Sequence, residues 1–348
     1  MGWFHRRRRR FSLTLLLTVG AILGGCASNL KQTPFDPHGP VARAQLDLLN
    51  LSLYFAIGIG AIVSALLLFI VLRYRQRPGT NTKVVPPQIH GNTKLEIIWT
   101  IIPIVILAIV GVPTVQAAFK IAAPSAPAAL TVKAIGHQWW FEFQYPDQKF
   151  VTANELYIPV GKPVVVKIES NDVIHSFWVP KLAGKTDMIP NRTNQAWLQA
   201  DEEGSYYGQC AEFCGPSHAR MGFRVIAVSQ EKFDAWVRER QAGAKQPTSE
   251  LAVAGKALFE GKEANKAVCF SCHAIDGSAK SVGKVGPNLS NVGSRATIAA
   301  GVLDNTEENL RKWIRDPQSV KPGAKMVAHP KLTDNDLLAI TTYLQSLK

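Results

Sequence analysis

Beyond residue 120 this 348-residue chain has almost no apolar run of bilayer-crossing length, and throughout it is poor in sulfur, with five cysteines and four methionines. The first absence confines membrane attachment to the N-terminal third. The second makes the position of every sulfur informative. Acids are scarce relative to bases, 26 against 39, giving a formal charge of +13. Five of those bases stand in HRRRRR at His5–Arg10, and without the arginines of residues 1–25 the charge falls to +8. The basic balance is therefore partly a targeting feature and carries no argument for nucleic acid. The hydrophobic fraction of 47% is that of a globular or membrane-attached chain of two or three domains, not of a disordered one.

The basic run is followed by the short apolar stretch FSLTLLLTVGAILGG and by Cys26. A basic head, an apolar segment too short to span and small residues before the cut describe a secretory signal over residues 1–25. Leu23–Cys26, LGGC, resembles the bacterial lipoprotein signal, which predicts Cys26 as a lipidated first residue. Two longer blocks follow. Residues 48–72 and 97–119 carry no charge, and each is long enough to cross about 30 Å of hydrocarbon as a helix. They predict a two-helix hairpin within residues 46–119. Arg73, Arg75, Arg77, Lys83 and Lys94 lie between the spans, so the positive-inside rule places the connection in the cytoplasm and the rest of the mature chain outside. Pro103 and Pro113 are tolerable inside a membrane helix, where neighbouring groups satisfy the freed carbonyls.

After the connector APSAPAA, residues 130–229 read as short strands: TVKAIGHQWWFEFQY, VVVKIES and FRVIAVS, separated by turn signals. This predicts a small β-sandwich or barrel. Just before its last strand lies CAEFCGPSHARM, residues 210–221, with two thiols, a glutamate, a histidine and a thioether in twelve positions. A loop on a β-scaffold is a usual place for binding chemistry. A disulfide between Cys210 and Cys214, or a zinc site completed by His218 and a remote histidine, would use part of this set. Neither uses Met221, whereas thiolate, imidazole and thioether together suit copper.

With His175 in NDVIHSFWVP, this loop resembles the dinuclear copper centre (CuA) of cytochrome c oxidase subunit II, over residues 46 to about 229. The resemblance implies a cupredoxin-like domain in which Cys210 and Cys214 bridge two coppers, His175 and His218 each bind one, and Met221 and the carbonyl of Glu212 complete the set. It implies that the Glu212 carboxylate faces magnesium or manganese at the border with subunit I. GHQWWFEFQYP at 136–146 looks like the family's aromatic cluster, with Trp139 as the electron-entry tryptophan and Phe141 where the family has its second tryptophan. KTDMIPNR matches a subunit-contact segment, with Asp187 and Arg192 near the partner's metal and haem propionates. Glu96 matches the glutamate at the mouth of a proton pathway.

QAGAKQPTSE, residues 241–250, reads as a linker to a C-terminal unit over 251–348. CFSCH at 269–273 is the C-x-x-C-H pattern of covalent haem attachment, in which Cys269 and Cys272 form thioethers and His273 supplies the proximal nitrogen. A helical start at 250–259, GPNL at 286–289 and a final helix from 334 to 347 resemble class I cytochrome c. Met326 is the one methionine after residue 221 and is the expected sixth ligand, with His329 the competitor.

The expected architecture is multidomain: two transmembrane helices, an all-β cupredoxin-like sandwich and an all-α class I cytochrome c domain. The expected function is subunit II of a haem-copper oxidase in a bacterial inner membrane, its sandwich and cytochrome on the periplasmic side. Electrons would come from cytochrome c through the chain's own haem c and CuA to subunit I, where dioxygen is reduced and protons are pumped. A CuA-bearing nitric oxide reductase subunit and a free-standing electron carrier are the alternatives. A quinol oxidase subunit II lacks the copper ligands present here.

Overall fold

The computed structural model describes residues 30–76, 88, 90–124, 126–263 and 265–348. Residues 1–25 and Cys26 lie outside them, as do Arg77 and Lys83. Helix α1, Pro40–Tyr74, and helix α2, Thr93–Ala122, are both long and apolar enough to cross a membrane. Their apolar stretches are exposed in the isolated chain, as lipid-facing helices must be. Both run further than the uncharged blocks. Pro40 occupies the first turn of α1, where its missing amide has no partner to lose. That turn is held on the β-domain: Ala42 N donates to Leu182 O at 3.2 Å, and Arg43 Nη2 donates to Asp201 at 3.0 Å. Helix α2 begins where the Asn92 side chain accepts from the amides of Lys94 and Leu95, and ends where Trp197 Nε1 donates to Ile121 O at 2.9 Å.

Ten strands form the sandwich: β1 Leu130–His137, β2 Trp140–Tyr145, β3 Phe150–Ala153, β4 Glu155–Pro159, β5 Val164–Ser170, β6 His175–Val179, β7 Ala183–Met188, β8 Asn194–Leu198, β9 Gly204–Cys210 and β10 Gly222–Val228. One sheet has the order β3-β2-β1-β5-β8 and the other β4-β10-β9-β6-β7. Alternation in β2 turns Phe141, Phe143 and Tyr145 inward. They meet Phe177 and Phe223 from the opposite sheet, with the Phe141 and Phe223 rings 4.6 Å apart. Phe141, in the aromatic cluster of the sequence, is therefore a fully buried core side chain. Between the sandwich and the linker residues stands a helix that the sequence left unassigned: α3, Gln230–Gln241, capped by Ser229, whose Trp236 stacks on Tyr157 at 4.4 Å.

The C-terminal unit is built on α4 Glu250–Phe259, α5 Glu307–Arg315, the short α6 Pro317–Val320 and α7 Asp334–Ser346, with two very short β-ladders. Helices α4 and α7 cross at Gly255, where a Cβ would stand 2.5 Å from the carbonyl carbon of Ala339. Leu258, Phe259, Leu337, Ile340, Tyr343 and Leu344 close the core around the crossing.

Candidate metal centre and adjoining crevice

Neighbouring strands of one sheet bring the loop residues together. His175 opens β6, Cys210 closes β9, and Met221 immediately precedes β10. The ends of the loop are tied by Cys210 N donating to Met221 O at 2.9 Å. Inside it the Cys210 and Cys214 sulfurs are 3.7 Å apart and both thiols are free. His175 Nδ1 lies 3.8 Å from Cys210 Sγ, and His218 Nδ1 lies 3.6 Å from Cys214 Sγ. Met221 Sδ is 3.9 Å from Cys214 Sγ, and the Glu212 carbonyl oxygen is 3.2 Å from Cys210 Sγ. Among the described residues, His175, Cys210 and Cys214 form a buried group with ligand atoms close enough to share one ion. All six sequence-predicted positions thus converge.

The electrostatics favour an anionic sulfur in this place. Hydrogen bonding between the thiols drives their titrations apart, pushing Cys210 down with help from His175 and Cys214 up. Burial alone would lower the pKa of His175, yet its hydrogen bonds to Asp172 and Cys210 raise it. His175 Nε2 meets Asp172 Oδ1 at 2.8 Å, which fixes the ring and turns Nδ1 toward the sulfurs. Burial would raise Asp172, but hydrogen bonds from His175 and from the amides of Gln138 and Val173 hold it well below the usual carboxylate range. Asp172 escaped the sequence reading. A carboxylate three residues before a candidate ligand histidine is the signal that could have found it.

Glu212 divides its groups: its carbonyl turns inward while its half-exposed carboxylate is bound by Lys185 at 3.2 Å. Lys185 also approaches Asp187 at 3.6 Å, so two acids share one surface cation, and Arg192 is exposed. Glu96 lies exposed in the first turn of α2. Trp139 is buried, and its indole Nε1 donates to Cys214 O at 3.0 Å, beside Gln138 Nε2 donating to the same oxygen at 2.9 Å.

On the other side of Trp139 lies a cavity of about 210 Å³. Cys269, Cys272, His273 and both candidate sixth ligands, Met326 and His329, line it together with Trp139. His273 Nδ1 donates to Pro287 O at 2.8 Å, which leaves Nε2 available as a ligand. Gly286 lies flat against that ring, since a Cβ there would stand 2.5 Å from His273 Cε1. Burial pushes the Cys269 thiol up to about 11 and lowers the pKa of His273. A residue missed by the sequence closes the cavity toward the sandwich. Lys321, 4% exposed, donates from Nζ to Trp139 O at 2.5 Å, and burial depresses its pKa to about 7.

Comparison with known proteins agrees with this architecture. Residues 148–228 match the periplasmic domain of cytochrome C oxidase subunit II, residues 27–117 its transmembrane domain, and residues 252–348 cytochrome c. Cytochrome c oxidase subunit 2 of Alkalihalophilus pseudofirmus is 42% identical over 97% of this chain and 95% of that protein. The protein of the same name from Bacillus subtilis is 37% identical over 97% of each. Quinol oxidase subunit 2 of Bacillus spizizenii is 41% identical, over 72% of this chain and 78% of its own length. The chain belongs to the cytochrome c oxidase subunit 2 family, as a membrane-anchored oxidase subunit that carries a fused cytochrome c unit.

Proposed function

We propose that this chain is the electron-input subunit of a haem-copper terminal oxidase, with His175, Cys210, Glu212, Cys214, His218 and Met221 holding a copper pair and Cys269, Cys272, His273 and Met326 holding haem c. The donor chemistry fits both groups. Two thiols, two imidazole nitrogens, a thioether and a carbonyl converge in a buried loop, a soft set suited to copper and filling every position without a place for substrate. The crevice supplies a cradle beside His273, with paired thiols and a thioether on its walls. When bound, the two groups carry single electrons from a cytochrome c donor toward subunit I, where dioxygen is reduced to water with proton pumping.

The residues of the chain do the positioning. Asp172 orients His175. Gln138 and Trp139 pin the Cys214 carbonyl and so hold the loop in one shape. The inward sheet faces keep water from the sulfurs, since Cys210, Cys214 and Met221 are all nearly inaccessible. Glu212 and Asp187 present carboxylates at the surface, the oxygen chemistry that magnesium or manganese takes at a border with subunit I. Arg73, Arg75 and Lys94 flank the membrane helices on one side, which by the positive-inside rule supports an outer, periplasmic position for the loop and crevice. Lipidation of Cys26 and proton entry near Glu96 belong to the same reading.

The observation that carries the proposal is that loop and crevice share Trp139, which bonds to Cys214 on one side and lines the crevice on the other. The competing quinol-oxidase reading, raised by relatives that match 72% of the chain or less, predicts no copper. Purification of the membrane complex decides between them. We expect a seven-line mixed-valence copper signal, a methionine-ligated haem c band and a co-purifying haem-copper subunit. A mononuclear four-line signal, or no haem-copper subunit, would reject the proposal.

A further inference from the structure

His273 and Met326 on the crevice walls and the copper loop lie in different structural units, and one short segment runs between them. Deepening the proposed function and resting on it, we infer that residues 321–325 form a docking strap that clamps Trp139 between the two centres, with Lys321 as its positioning residue. Lys321 Nζ reaches out of the cytochrome unit to Trp139 O at 2.5 Å and is also within 3.2 Å of Ala299 O. No carboxylate pairs with this buried amine among the described residues. Burying an amine against carbonyls alone is costly, and an aliphatic chain would fill the space more cheaply. What the amine adds is register, because it bonds only when Trp139 O stands in one place.

The rest of the strap follows the same course. Ser217, fully buried in the copper loop, donates from Oγ to Pro322 O at 2.5 Å. Gly323, at φ +82°, lies against the indole, where a Cβ would stand 3.2 Å from Trp139 Cη2 and 3.3 Å from Pro216 Cβ. Lys325 Nζ reaches Asp172 Oδ2 at 3.3 Å, the carboxylate that orients His175. The next residue is Met326. The strap therefore runs from the haem side of the crevice across Trp139 to the partner of a copper ligand. It also packs over Trp139, which is left only 7% exposed. With haem held at His273 and copper at the loop, the step the strap would serve is the passage of one electron between them, with no bond formed or broken.

The test uses the purified oxidase complex carrying Lys321→Met, with hydrogen exchange and photoreduction kinetics measured in parallel. We expect peptides spanning residues 136–141 and 320–326 to exchange at least about tenfold faster than in the wild type. Haem-to-copper transfer should slow by at least about tenfold, with the haem band and copper signal unchanged. Lys321→Arg, which keeps a donor, should recover part of both. Unchanged exchange and transfer in Lys321→Met would overturn the strap. If that variant does not assemble, Gly323→Ala, which pushes the strap off the indole and keeps the amine, is read the same way. A wild type without the copper or haem signature overturns the proposed function instead, and the exchange contrast then still decides whether the strap clamps Trp139.

Discussion

Gly255→Ala sets helix propensity against packing in the cytochrome unit. Within a helix, Ala is favoured over Gly by about 1 kcal/mol, so propensity alone predicts a more stable α4. The crossing predicts the opposite. A Cβ at 255 would fall 2.5 Å from the carbonyl carbon of Ala339 and 3.0 Å from Ile340 N, and both obstacles are backbone of α7. Backbone cannot turn aside as a side chain does, so the helices must separate and loosen the core around Tyr343 and Leu344. Overpacking of this kind costs about 1–3 kcal/mol, and more where backbone must move. Taking the upper end, about 3 kcal/mol, because backbone is the obstacle, and subtracting about 1 kcal/mol of propensity leaves a net loss of about 2 kcal/mol. For a unit of this size that loss lowers the melting temperature by roughly 8–16 °C. The assay is thermal unfolding of the detergent-solubilised full chain, followed by far-ultraviolet circular dichroism and haem absorbance. Ala254→Gly, on the exposed face of the same helix, calibrates propensity alone and should lose about 1 kcal/mol. A Gly255→Ala chain that melts above the wild type would refute the backbone contact.

Four other substitutions probe the candidate sites and the last helix. Cys214→Ser should abolish the mixed-valence copper signal while leaving the sandwich folded by circular dichroism, and an intact seven-line spectrum would remove Cys214 from the ligand set. Met326→Ala should abolish the methionine-ligated haem band, whereas its survival would hand the sixth position to His329 or another group. Thr333→Ala breaks the capping box with Asp336 at the start of α7 and should cost about 1 kcal/mol in urea denaturation. The amide of Thr333 holds the Asp336 carboxyl below its ordinary value, so its contribution is fully present above the ordinary carboxylate value of about 4 and is lost below it, as pH falls through the depressed folded value. The gap between wild type and Asp336→Asn should therefore narrow in acid, and a gap that widens below pH 4 would contradict the assignment.

What was legible in the sequence was what is local. The loop residues Cys210, Glu212, Cys214, His218 and Met221 lie within twelve positions, and the two thiols of the C-x-x-C-H motif lie three apart, so their spacing alone implied chemistry. The membrane helices were legible because lipid demands uninterrupted apolar runs. Their ends were not, because Val41 and Ala42 are buried on the β-domain rather than in lipid. Phe141 reads as a member of an aromatic cluster, but strand alternation, which is set by the pairing of β2, turns it into the core. Lys321 was the least legible of all. In KPGAKM it looks like a solvated lysine, and its burial depends on a carbonyl 182 residues away in sequence.

That last case bears on how a fused carrier is positioned. Units joined in one chain ordinarily move relative to each other unless their interface is large and apolar. Here the interface is fixed instead by directional bonds. Beside Lys321 and Ser217, the buried carboxylate of Glu155 on β4 accepts from Ala296 N at 2.8 Å, and Gly222 N donates to Ala300 O at 2.9 Å. Each of these contacts leaves a buried polar group unpaired if the units slide, a penalty of about 1–3 kcal/mol apiece. Small apolar contacts such as Ala300 against Trp140 would tolerate such a slide; the hydrogen bonds would not. The linker between α3 and α4 then has no aiming to do, which is why it can be polar, irregular and carry Gly243 at φ +76°. Lengthening it by a few Gly-Ser residues should leave haem-to-copper transfer nearly unchanged, since loop entropy grows only slowly with length. A steep fall in that transfer with each added pair of residues would mean that the tether, and not the strap and its neighbouring bonds, sets the distance.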